Sequence, residues 1–148
     1  MKEIDIMADS AEYVWAMPFD RRSLRHVLRT MLLAAEEKGI SIPERLEVRL
    51  VNDRDMRAAN SRFAGCPGPT NVLAFPGGSD MPGIILMSSG AVLRECLLHG
   101  QRPDEYTLLL LAHGLAHLAG LEHGSCMDRI CDVCVAAVRR TLNPRLSP

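Results

Sequence analysis

No stretch of this sequence approaches the run of apolar residues that a bilayer demands. The leucines that begin at Leu108 end at Ala112, far short of the ~20 residues of a spanning helix. The first residues include the acids Glu3 and Asp5, where a secretory leader would carry bases and then an apolar block. A cytoplasmic location without a membrane partner is therefore expected. Cysteine gives no disulfide framework: Cys66, Cys96, Cys126, Cys131 and Cys134 are odd in number and irregular in spacing, in a chain long enough to pack without staples. Free thiols are expected. A basic excess is also missing, since 17 basic side chains face 18 acidic ones for a formal charge of −1. Bulk charge thus gives no support to nucleic-acid binding, and any RNA contact must be local. Lysine is nearly absent, with only Lys2 and Lys38, so almost all positive charge is guanidinium, the group that pairs bidentately with phosphate. An arginine-rich proteome accounts for the same bias.

What remains is an ordinary globular composition, 47% hydrophobic and 24% charged over 148 residues, which fits one domain spanning 1–148. Lys2 to Met7 alternates as a short strand. From Asp20, a plausible N-cap, Leu24, Val27, Leu28, Met31, Leu32 and Ala35 recur at helical spacing until Gly39 stops them. Leu46, Val48 and Leu50 alternate as a strand, after which Asp53 is expected to cap a short helix carrying Met56, Ala59 and Phe63. Val72 to Phe75 and Ile84 to Met87 read as a hairpin across a turn-rich Pro76 to Asp80. Ser88 or Ser89 caps a helix to about His99, Pro103 starts another that runs to the region of Gly120, and a last helix from Met127 ends at Asn143-Pro144. The order predicts an α+β fold, a small mixed sheet of about four strands packed against several helices.

The chemistry concentrates in His113, His117 and His123, separated by three and then five residues. His113 and His117 stand one helical turn apart and project from one face, so they can take adjacent corners of a tetrahedral metal site. Gly120 falls where the helix should end, and its tolerance of positive φ lets the chain turn back and bring His123 as third ligand. The site is thus expected at the C-terminal end of a helix. Three protein ligands with an open corner for water is the catalytic pattern, because bound zinc lowers the pKa of water to ~7. Nickel, cobalt or iron would satisfy the same ligands. His26 and His99, lone histidines on helices, are read instead as packed core residues. The long-motif zinc proteases share the histidine spacing but place a glutamate after the first histidine as general base. Here that residue is Gly114, which disfavours peptide hydrolysis. Glu122 is the nearest other carboxylate, as general base, as an orienting partner of a histidine or as a solvated turn residue. Cys131 and Cys134 form a C-x-x-C, but they share the apolar face of the last helix and read as buried thiols.

The histidine segment, together with Pro69-Thr70-Asn71-Val72-Leu73-Ala74-Phe75-Pro76, resembles the YbeY family of metal-dependent rRNA maturation factors. Those proteins pair P-T-D/N-V-L-S-F-P with H-G-x-L-H-L-x-G-Y-D-H. The resemblance implies a single-strand-specific endoribonuclease acting on the 16S rRNA 3′ end and in ribosome quality control. It further implies zinc on the three histidines, and single-stranded rRNA and the small ribosomal subunit as partners, with no DNA. Arg62, Thr70 and Asn71 are expected near the RNA backbone. The departures bear on catalysis. Ala64-Gly65 stands where the family has Arg-Gly, Gly83-Ile84 where it has Gly-Asp, and Ala116, Leu121 and Glu122 where it has Leu, Tyr and Asp. A ribosome-associated assembly factor that keeps the metal without catalysis, and a zinc hydrolase of another substrate, stand as alternatives. Arg22, Arg25 and Arg29 share one face of the first long helix, read as a solvated face.

Overall fold

The computed structural model describes residues 2–8, 18–62, 71–78 and 80–142. Its strands are β1 (Glu3–Ala8), β2 (Arg45–Val51), β3 (Val72–Phe75) and β4 (Gly83–Ser88). Its helices are α1 (Arg21–Glu37), α2 (Asp53–Arg62), α3 (Ser89–His99), α4 (Pro103–Leu118) and α5 (Ser125–Leu142). The strands form one mixed sheet in the order β1-β2-β4-β3. β1, β2 and β4 are parallel, and β3 pairs antiparallel with β4, Val72 opposite Met87 and Phe75 opposite Ile84. The expected α+β architecture and the hairpin are both present.

Alternation along the strands decides which side chains meet the helices. Ile4 and Ile6, Leu46, Val48 and Leu50, Ile85 and Met87, and Val72 all enter one core with α1, α4 and α5. The other face buries Leu73 and Val51 beneath Met56 of α2. α1 offers the core the stripe Leu24, Val27, Leu28 and Met31, and the Asp20 carboxylate caps it by accepting from the Ser23 N–H at 2.7 Å. Gly39 follows that helix at φ +80°, the left-handed stop expected of it.

Three expectations are corrected. The cap of α2 is Asn52, whose side chain accepts from the Asp55 N–H at 2.7 Å. Asp53 lies one position inside the helix. There it accepts from the Ser88 hydroxyl at 2.6 Å and pairs with Arg94, and the Ser88 bond chiefly holds its carboxyl below the usual range. His26 and His99 are exposed rather than core residues. His26 is flanked by the stripe without being on it, and His99 occupies the last turn of α3, where a base suits the helix dipole.

Cys131 and Cys134 face inward. The Cys134 thiol points at the Met31 carbonyl at 3.5 Å, and burial raises the two thiols to about 12 and about 11. The described cysteines are free, and of these only Cys126 is exposed. Among the described residues no helix is long and apolar enough to cross a membrane.

A candidate metal centre at the end of helix α4

α4 begins with Pro103 at its first turn, where the missing N–H costs nothing. It ends in a Schellman turn: the Gly120 N–H donates to the His117 carbonyl at 2.9 Å and the Leu121 N–H to the Ala116 carbonyl at 3.0 Å. Gly120 takes φ +85° there. Leu121 then packs against the main core, which fastens the reversal and turns the chain toward α5. This reversal brings His123 back on His117, with ring centroids 5.2 Å apart and planes at 79°.

The three imidazoles have different surroundings. His113 and His117 are half-buried and His123 is exposed. Burial first, and then His123, pushes the His113 imidazole down, against a smaller upward pull from Asp128. Burial and His123 likewise lower His117, opposed by the Leu121 backbone. Both effects favour the neutral imidazole, the form that offers a lone pair. The Nε2 atom of His117 is buried without a hydrogen-bond partner. An orphaned buried nitrogen costs about 1–3 kcal/mol, and a metal ion is one partner that would satisfy it. The donor set, three nitrogens of which two are kept neutral, fits zinc or a neighbouring transition metal. The rings are adjacent rather than converged: among the described residues no three His, Cys, Asp or Glu side chains are already gathered to hold an ion.

The other expected site residues fall in different places. Glu122 is exposed on the turn beside His123. Arg62 is the last residue of α2. Thr70 and Ala64 lie outside the described residues. Asn71 is fully buried. Its Nδ2 donates to Glu95 Oε2 at 2.7 Å and to the Tyr106 hydroxyl at 2.8 Å, so in this conformation its side chain faces α3 and α4 instead of a phosphate. Asp128, whose charge acts on His113, had no signature of its own in the sequence, since it enters by the fold of α5 against α4. Gly114 faces the sheet: a Cβ there would stand 3.0 Å from Ile85 Cδ1.

The Asn71 amide gives a pH-dependent prediction, because the motif of the resembling family admits Asp as well as Asn at this position. Asn71→Asp would set a second carboxylate against Glu95, and two such groups at hydrogen-bond distance cannot both ionise without cost. The pair would retain a proton in the folded state at pH values where the unfolded chain has released it. Its folded pKa is therefore raised, and stability is unaffected below about pH 4 and lost as pH rises through the raised value. We expect a loss of about 2–4 kcal/mol at pH 8, largely recovered at pH 4.5. Thermal melts at the two pH values check this, and equal losses at both would contradict it.

A small mixed sheet carrying, on one covering helix, two histidines a turn apart and a third returned by a glycine turn defines an α+β protein with a candidate histidine site. A family profile described as Endoribonuclease YbeY matches residues 11–130, and the chain belongs to that family. It is 41% identical over 121 residues to the endoribonuclease YbeY of Lawsonia intracellularis, covering 81% of this chain and 86% of the relative. With that of Oleidesulfovibrio alaskensis it shares 37% over 136 residues, covering 75% and 78%. The solution structure of TM1509 from Thermotoga maritima superposes with a TM-score of 0.63 at 20% identity, covering 97% of this chain and 93% of that one. That likeness supports the fold.

Proposed function

We propose that this protein is a metal-dependent endoribonuclease that cleaves single-stranded RNA, and that it serves maturation of the 16S rRNA 3′ end and ribosome quality control in the cytoplasm. The observation that carries the metal is the buried, unpartnered Nε2 of His117 beside His113 and His123. Family membership and the relatives named as endoribonucleases support the reaction. His113, His117 and His123 would hold the ion, zinc first and nickel or another divalent transition metal by the same donors. Bound there, the metal supplies water activation at neutral pH and neutralises charge on the phosphodiester. The chain's own residues do the rest. Burial keeps His113 and His117 neutral and oriented, and the reversal at Gly120 sets His123. Glu122, exposed on the same turn, takes and releases the proton through its carboxylate. Arg62 and Thr70, which flank the segment leading into β3, hold backbone phosphates of the rRNA strand on the small subunit.

A second reading is favoured by two observations: the three donors are not gathered as they stand, and Ala64 replaces the family arginine. It is a ribosome-associated factor that binds RNA and metal without cleaving. Elemental analysis of the protein beside His113→Ala and His123→Ala, paired with cleavage of a labelled single-stranded RNA, separates the two. Near-stoichiometric metal with histidine-dependent cleavage is expected. Retained metal without cleavage points to the assembly factor, and no metal after reconstitution with zinc removes the centre altogether.

A further inference from the structure

Tyr106, His113 and His117 follow one another at seven and then four positions, so at 100° per residue they fall within about 20° of a single line along α4. At the N-terminal end of this line the Tyr106 hydroxyl donates to Glu95 Oε2 of α3, and the same oxygen accepts the Asn71 amide at 2.7 Å. Asn71 immediately precedes β3, and its carbonyl accepts from the Ser88 N–H at 3.1 Å. It is thus fixed by main chain and side chain together. Gly114 stands over Ile85 and Leu118 over Gly83, so α4 runs against β4 and therefore along β3, which is antiparallel to β4. β3 accordingly leaves Asn71 beside Tyr106 and travels toward the histidines, ending at Phe75.

We propose that Glu95 is a positioning residue: by gathering the Asn71 amide and the Tyr106 hydroxyl on one carboxylate oxygen, it fixes the start of β3 against α4 and so sets that strand beside the histidine line. The functional half of this proposal rests on the nuclease reading above. Two segments distant in sequence converge on one acceptor carried by a third, and those two carry the family motifs. Burial and Glu95 raise the Tyr106 hydroxyl to about 12, so it remains a donor throughout the working pH range. Glu95 itself belongs to α3, outside the segment that carries the histidines, and acts through its two donors.

The test compares Glu95→Gln, Glu95→Ala and Tyr106→Phe with wild type. It measures kcat and KM on labelled single-stranded RNA, zinc content, and amide exchange of Val72 to Phe75. Gln keeps the accepting oxygen and is expected within about threefold of wild type in kcat/KM. Ala is expected to lose about 10–100-fold, the range for groups that orient a site without touching it. That loss should come mainly through KM, with zinc retained and exchange of β3 accelerated. Tyr106→Phe, which removes one hydroxyl, should move the same quantities less and secures the test if Glu95→Ala does not fold. A Gln variant as impaired as Ala, an Ala variant with wild-type kcat/KM, or unchanged β3 exchange in both Ala and Phe variants would overturn the proposal. If wild type itself does not cleave, the nuclease reading fails, and β3 exchange alone then decides whether Glu95 positions the strand.

Discussion

Replacing His117 by alanine is expected to leave the metal-free protein nearly as stable as wild type while abolishing the stabilisation that zinc confers. The His117 ring is only half-buried, and its Nε2 has no hydrogen-bond partner. Truncation therefore loses packing but also removes an unsatisfied nitrogen worth about 1–3 kcal/mol, and the two largely offset. With zinc at a thousandfold excess over its Kd the folded state gains about 4 kcal/mol, which for a domain of this size raises Tm by roughly 8–16 °C. Wild type should show that rise and His117→Ala almost none. RNA cleavage should fall by more than about 100-fold, since even groups behind the ligands cost about 10–100-fold when removed. Melting curves of both proteins with and without zinc check the first part. A variant that keeps the zinc-dependent rise would show that His117 is not a ligand.

The second large effect concerns Gly114, the position at which the long-motif proteases carry their glutamate. A Cβ there meets Ile85 Cδ1 at 3.0 Å and Cγ1 and Cγ2 at 3.3 Å, and Ile85 is fully buried in the middle of β4, with little room to yield. Even alanine is expected to cost stability, because overpacking of about 1–3 kcal/mol outweighs a helix-propensity gain of about 1 kcal/mol. Glutamate adds a carboxylate to an apolar helix–sheet contact. The cost, about 4 kcal/mol or more, is comparable to the 5–15 kcal/mol that holds a typical domain together. Gly114→Glu is therefore expected to be insoluble or to melt more than about 10 °C lower, without gaining casein hydrolysis. A well-folded variant that cleaves casein would contradict the placement of Gly114 in the core.

Local signals in the sequence carried much of this description. Pro103 and Gly120 mark the ends of α4 region because both act on the backbone directly, and the spacing of His113 and His117 translates into a shared face with no tertiary information. The stripe of α1 is legible for the same reason. Asn71 was not, since an amide in a motif strand reads as a surface group. What buries it are partners 24 and 35 residues further on, Glu95 and Tyr106, whose convergence no local pattern announces. Asn52 and Asp53 are adjacent and equally able to cap, and only the path of the chain toward Ser88 separates their roles. The insertion of β4 between β2 and β3 is likewise a tertiary outcome, because sequential strands more often lie side by side.

That insertion also orders assembly. β3 and β4 close through a short connection, whereas pairing Ile4 with Leu46 or Leu46 with Gly83 closes loops of roughly forty residues, at greater entropic cost and lower speed. During refolding the hairpin can therefore form early, while the parallel seams zip later. α5 packs on α1, where Cys134 meets Met31, so its docking depends on a helix from the N-terminal half. A destabilising change in β1 or α1, outside the segment that carries His113, His117 and His123, is thus expected to slow the packing of that segment.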